Sequence, residues 1–261
     1  MRKILLSALF FGLIFSCSNN DNRSDSYSDD VILPVKIAET DDNTEASIKY
    51  NGAKIVEIIN SEGSKMVYQY EGDNIVKITS HNEKGQIDMT EVLSYKNGKL
   101  MGNIVTEIDN VGAPNEKKQI GIFTYEWIDA NHVTENQTSN TNTTPVITDY
   151  FFSNGNLTKQ VVVYNSGSFS SKYEYNYSYD NKNNPMKNIK GMNALLDKDF
   201  GSNNLIKEET TNNTGGSISS SVTTYTNEYN SNNYLIKQTS KTTYTNNTPQ
   251  TSVTKTYTYN K

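Results

Sequence analysis

The sequence predicts an all-β fold, an antiparallel up-and-down meander of roughly 16 strands that closes into a barrel or barrel-like sheet. Three observations lead there. Residues 169–179 read FSSKYEYNYSY, which puts Phe169, Tyr173, Tyr175, Tyr177 and Tyr179 on one face of a strand and only polar residues on the other. A hairpin unit then recurs along the chain. Finally, only 34% of the residues are hydrophobic, which suits a sheet apolar on one face better than a layered α/β core.

In chain order, Arg2 and Lys3 precede an apolar run, Ile4 to Phe15, that ends at Ser16-Cys17. That run is too short for a bilayer-spanning helix, and its basic flank is that of a secretory signal peptide. Ile14-Phe15-Ser16-Cys17 is similar to a bacterial lipobox, which assigns residues 1–17 as a lipoprotein signal peptide and Cys17 as the lipidated residue. Residues 18–30, SNNDNRSDSYSDD, cannot pack and read as a flexible tether. Residues 31–261 then form a single β-meander domain. Ser18, directly after the cysteine, carries no acidic retention signal and directs the expectation to the outer membrane, with the periplasmic and outer faces both open.

The repeating unit is an aromatic strand end, a turn of Asn, Asp or Gly, and a short apolar strand. It occurs at Tyr50-Asn51-Gly52, Tyr70-Glu71-Gly72, Tyr95-Lys96-Asn97-Gly98, Phe152-Ser153-Asn154-Gly155 and Tyr229-Asn230, with degenerate copies at Trp127, Tyr179 and Phe200. From Tyr50 to Tyr259, eight intervals cover 209 residues, about 26 each, or one hairpin per unit. Asn-Gly is the strongest short hairpin signal, because both central turn residues need positive φ. Two stretches depart from the pattern. Asp129 to Pro145 reads as a frayed strand pair with a long loop, and Met192, Leu195 and Leu196 are spaced for one short helix near 192–199. Open edges on so long a meander would invite aggregation, and closure removes them.

The lipobox, the Asp29-Asp30-Val31-Ile32-Leu33-Pro34 segment, the Tyr-x-Tyr-Asn-Gly type hairpins and Tyr179-Asp180-Asn181-Lys182-Asn183-Asn184-Pro185 resemble a family of bacterial cell-envelope lipoproteins of unknown function. That resemblance implies a porin-like barrel and implies no activity, cofactor or catalytic residue. The hairpins are also similar to tyrosine-aspartate repeats of the YD/RHS type.

The chemistry of the chain points away from catalysis. Formal charge is -5, with no basic stripe, so nucleic acid is not expected as a partner. One cysteine excludes a disulfide framework and a thiolate metal site. His81 and His132 have no carboxylate or cysteine at ligand spacing. No cofactor and no catalytic residue is expected, and the reading is a non-enzymatic envelope lipoprotein with a binding or structural role. Its partners are then the membrane, through Cys17, and a polysaccharide or an envelope protein. Tyr173, Tyr175, Tyr177 and Tyr179 are the candidate ligand-binding residues, with Asn176 and Asn181 as amide donors, while the same rings would equally serve as the inner face of the sheet. Two alternatives stand beside this reading: a glycan-active hydrolase with paired carboxylates such as Asp73 and Glu91, and an outer-membrane channel. Strands with Thr254, Thr256 and Thr258 on one face and Lys255 on the other lack the lipid-facing band a channel needs.

Overall fold

A computed structural model describes residues 31–40, 43–166, 169–245 and 251–261. The expected signal peptide, Cys17 and the expected tether therefore lie outside the described residues. The strands are β1 (Pro34–Glu39), β2 (Thr44–Asn51), β3 (Lys54–Asn60), β4 (Lys65–Glu71), β5 (Asn74–His81), β6 (Ile87–Lys96), β7 (Lys99–Asp109) and β8 (Lys117–Trp127). They continue with β9 (His132–Ser139), β10 (Val146–Ser153), β11 (Asn156–Ser166), β12 (Phe169–Tyr179), β13 (Leu205–Thr214), β14 (Ser217–Tyr229), β15 (Leu235–Tyr244) and β16 (Thr251–Tyr259). Each strand pairs antiparallel with its neighbour in sequence, and β1 pairs with β16 to close a 16-strand barrel. At the closure Ile37 lies opposite Tyr257 and Glu39 opposite Lys255.

The aromatic repeat has a specific geometry. At Tyr50, Tyr70, Tyr95, Phe152, Tyr179 and Tyr229 the register shifts, so the following strand carries one extra residue just after its turn. Such a bulge turns adjacent residues to opposite faces and bends the strand. The residue before the bulge points inward, giving Ile55, Ile75, Leu100, Leu157, Leu205 and Leu235, all at most 3% exposed. Its neighbour points outward, as at Val56, Met101 and Ile206. The inward aliphatics form one layer at the end of the barrel that carries these turns.

The tyrosines are not interchangeable with phenylalanine in this layer. Tyr50 Oη donates to Pro34 O at 2.7 Å, Tyr179 Oη to Leu157 O at 2.7 Å, and Trp127 Nε1 to Leu100 O at 2.9 Å. Tyr259 Oη donates to Leu235 O, and Tyr70 Oη accepts from Ile55 N at 3.2 Å. In each case the polar tip of one unit meets main chain of a neighbouring strand at or beside the buried layer. A buried main-chain group left unpaired there would cost roughly 1–3 kcal/mol.

The expected helix near 192–199 is a four-residue 3-10 turn, Met192–Leu195, and it is not a surface element. Gly191 before it and Leu196 after it both adopt left-handed backbone, which stops helix growth at either end. The whole connection 180–204 folds over the layer of aliphatics as a cap. Met186, Ile189, Met192 and Leu196 are buried in the same core cluster as Ile55, Ile75 and Leu100. The cap is tied around the rim: Lys190 N to Ala53 O, Asn188 Nδ2 to Ile32 O, Ser202 N to Gly155 O, and Asn183 N to Asn233 O. Asp180 anchors its start, accepting from Lys182 N, Asn204 N and the Tyr229 hydroxyl.

Two further expectations are corrected by this arrangement. The unit centred on Phe200 is cap and not hairpin, so 14 strands follow Tyr50, and β1 and β2 before it complete the sixteen. The stretch 129–145 contains a regular strand, β9, with Val133 fully buried, because pairing on both sides overrides its low apolar content.

Outside, the wall over β12 to β16 is mostly hydrophilic, as the exposed Thr224, Thr226 and Glu228 of β14 illustrate, with Ile206, Ile218 and Tyr244 as scattered exposed apolar residues. A cross-strand row of apolar residues also faces outward, Val92, Ile104 and Ile122, each about half exposed on β6 to β8.

A Cβ on Gly191 would sit 2.9 Å from Asp73 O and 3.0 Å from Ile75 Cγ1, whereas at Gly216 it would meet nothing within 4 Å. Both have positive φ. Gly216→Ala should therefore lose only the left-handed penalty of roughly 1–2 kcal/mol, and Gly191→Ala distinctly more, as read from urea unfolding. Equal losses would mean that the cap is not seated on β5. Tyr179→Phe should lose about 1–3 kcal/mol in the same assay.

Candidate functional site

Beneath the cap the barrel holds a cavity of about 240 Å³. That is smaller than the roughly 300–1,000 Å³ of drug-sized sites, so it fits a single small ring or a cluster of waters. Its wall is built by β1 and β13 to β16. Alternation on β16 turns Val253, Lys255 and Tyr257 inward, and the register sets Gln238 opposite Lys255 and Ser240 opposite Val253. The cap supplies the ceiling with Lys198, Asp199, Phe200 and Asn204.

Charges in the cavity are mostly paired. Lys198 Nζ lies 2.6 Å from Glu208 Oε2, which also accepts from Tyr225 Oη at 3.1 Å. Burial alone would push the Lys198 ammonium down, but Asp199, Glu208 and Tyr225 outweigh it and keep it charged. Lys255 Nζ lies 3.4 Å from Glu39 Oε2 across the closing seam. Asn204, 1% exposed, donates through Nδ2 to Asp180 and Asn183, while its Oδ1 has no partner. Asp197, on the cap, is pushed up to about 6 by burial and by Asp199 beside it.

All four candidate tyrosines lie on the inner face of β12, yet none lines this cavity. Tyr179 supports the cap, with Lys198 O as a second acceptor at 3.1 Å. Tyr177 is buried, donates to Gln160 Oε1 at 3.1 Å and stacks on Tyr175 with centroids 6.4 Å apart. Tyr173 meets Tyr164 edge to face at 5.7 Å. Asn176 pairs with Glu209 on the opposite, outer face, so it is not a donor beside the rings.

The pair Asp73 and Glu91 is not brought together. Asp73 sits in the β4–β5 turn, held below its ordinary range by Lys190 and also contacted by Lys54. Glu91 points into the lumen and receives a hydrogen bond from Asn103 Nδ2. His132 Nε2 lies 2.9 Å from Asp149 Oδ1 and its ring stacks on Phe151. Among the described residues no group of three or more His, Cys, Asp or Glu could hold a metal ion.

Sequence reasoning missed the interior acids Glu135 and Asp197, and it gave Glu91 the wrong partner. A signal existed for two of them: Glu135 shares parity with Val133 in HVTEN, and Glu91 with Leu93 and Tyr95, so both fall on the apolar face of their strands.

No family model matches the chain, and no curated protein matches it. Among solved structures it is similar to a porin-like protein from Bacteroides uniformis ATCC 8492. The TM-score is 0.48 at 11% identity, over 87% of this chain and 96% of that one. At that distance the likeness is one of outline alone.

The interior acids give stability a defined pH dependence. Burial raises the Glu91, Glu135 and Asp197 carboxyls, so above the unfolded range of about 4 the folded chain binds more protons than the unfolded one. Stability then falls as pH rises through the folded values. The exposed pairs of Asp73 with Lys190 and Glu174 with Lys159 act in the opposite sense and are screened by solvent. Thermal unfolding should thus occur at higher temperature at pH 5 than at pH 7.5, and Asp197→Asn should flatten that slope. A midpoint that climbs toward pH 7.5 would contradict the assignment.

Proposed function

We propose that this protein is a non-enzymatic component of the bacterial cell envelope, lipid-anchored through Cys17, whose capped barrel faces water and holds a small polar ligand in its lumen. The orientation of the wall carries the proposal. Aliphatic and tyrosine side chains point inward, and Thr, Ser, Lys and Glu point outward over most strands. A lipid-embedded barrel requires an outward apolar band around its whole girth; here the exposed apolar residues are one row of three strands, Val92, Ile104 and Ile122, and scattered positions such as Val56, Ile206 and Ile218. The cap across one end also disfavours a through-channel.

Attachment then falls to the N-terminal segment. A single acyl chain binds membranes marginally and more than one binds them stably, as a lipidated N-terminal cysteine does. The same lipobox reading directs the protein to the outer membrane, with residues 18–30 as a leash. For the ligand, the cavity offers an aromatic wall with hydroxyl, amide and charged groups, a composition suited to a single sugar ring of an envelope polysaccharide.

Cys17→Ser in the full chain should move the protein from the membrane fraction to the soluble fraction with its thermal unfolding unchanged. Retention in the membrane after that substitution would favour an embedded barrel. Binding of small sugars and peptidoglycan fragments to the same variant should be saturable, and Tyr257→Phe, which removes one hydroxyl facing the cavity, should weaken it at least threefold. No binding across the panel would leave a structural role.

A further inference from the structure

On the wall opposite the cavity, β6 to β10 carry a second polar cluster inside the barrel. Glu91 on β6 and Glu135 on β9 both point inward, and Glu135 is 7% exposed. The two carboxylates are close enough for their charges to repel each other. Glu135 accepts from Tyr150 Oη at 3.1 Å and from Tyr125, and Glu91 accepts from Asn103 Nδ2. No lysine, arginine or histidine pairs with either acid among the described residues, whereas Glu39 and Glu208 on the other wall each have a lysine. Ionising acids buried without a cation is costly, which is why burial raises both carboxyls, and a cation brought to them would favour the charged forms.

Two orphaned groups in the same cluster call for a donor. Asn103, 6% exposed, leaves its Oδ1 with no hydrogen-bond partner. Tyr95 breaks the pattern of the other aromatic anchors: its hydroxyl, buried and within the field of Glu91, is also unpartnered. Tyrosines surround the acids: Tyr125 and Tyr150 bond Glu135 through their hydroxyls, and Tyr68 and Tyr95 lie within the field of Glu91. Further from the cap the same wall continues with Glu107 on β7, opposite Gln119.

We propose that this cluster is a binding site for an alkylammonium group. An ammonium has three donors, which match the Glu91 and Glu135 carboxylates and Asn103 Oδ1. A metal ion fits poorly, because the acids do not form a metal-holding group. A free amine and a lysine side chain on a peptide present the same chemistry. The site lies apart from the sugar-sized cavity and depends neither on that ligand nor on Cys17.

The test is calorimetric titration of the full chain in detergent with n-butylamine, with an acetylated, amidated lysine peptide and with tetramethylammonium. At pH 8, n-butylammonium should bind saturably, and Glu91→Gln or Glu135→Gln should weaken it at least tenfold. Tetramethylammonium, with the charge but no donor, should bind at least tenfold more weakly, a comparison that needs no variant to fold. Tighter binding of the peptide than of butylamine would place the amine on a partner chain, and the reverse would place it on a free small molecule. The proposal is overturned if butylammonium does not bind, if tetramethylammonium binds as well, or if folded Gln variants bind unchanged.

Discussion

The barrel depends on what happens to main-chain polar groups at one end. Each bulge that swings an aliphatic residue into the lumen also strips nearby amides and carbonyls of regular ladder partners. At most of them an aromatic residue of a neighbouring unit supplies the missing partner through its polar tip, as Tyr179 does for Leu157, Trp127 for Leu100 and Tyr259 for Leu235. A tyrosine does both jobs at once, because its ring adds to the apolar layer while its hydroxyl reaches the backbone. This is why a chain with few aliphatic residues can still close a wide barrel: each unit contributes one buried Ile or Leu and one ring.

A wide barrel raises a second problem, since 16 strands enclose more space than wall side chains can fill. The connection 180–204 fills part of it, and its design is local. Left-handed residues at Gly191 and Leu196 turn the chain so that Met192 and Leu196 drop into the aliphatic layer. Asp180 and Asn204 at its two ends are tied to each other, which fixes where the loop leaves and rejoins the wall. The space that remains is divided unevenly in charge. On the β13 to β1 side the acids have lysines, while on the β6 to β10 side Glu91 and Glu135 have only tyrosines and an asparagine. Stability and binding are therefore coupled, because what neutralises the second group of acids also stabilises the barrel.

The sequence by itself determined the strand class, the antiparallel meander and the closure. Strict alternation in FSSKYEYNYSY and turns such as Asn97-Gly98 and Asn154-Gly155 are local signals, set by pleat and by positive φ, and they read true without knowledge of neighbours. It also determined which face is aromatic. The bulges were invisible, because one extra residue in a strand shows only once the partner's register is known. The regular pairing of β9 was hidden too, where the polar composition reads as a frayed strand pair and is overruled by partners on both sides. Tertiary structure alone decided that 180–204 is a cap, since helical spacing of Met192, Leu195 and Leu196 looks the same whether those residues cover a surface or a lumen. It alone decided, too, which carboxylates share one part of the lumen, because Glu91 on β6 and Glu135 on β9 come within each other's field only through the curvature of a closed wall, a long-range property that no local pattern encodes.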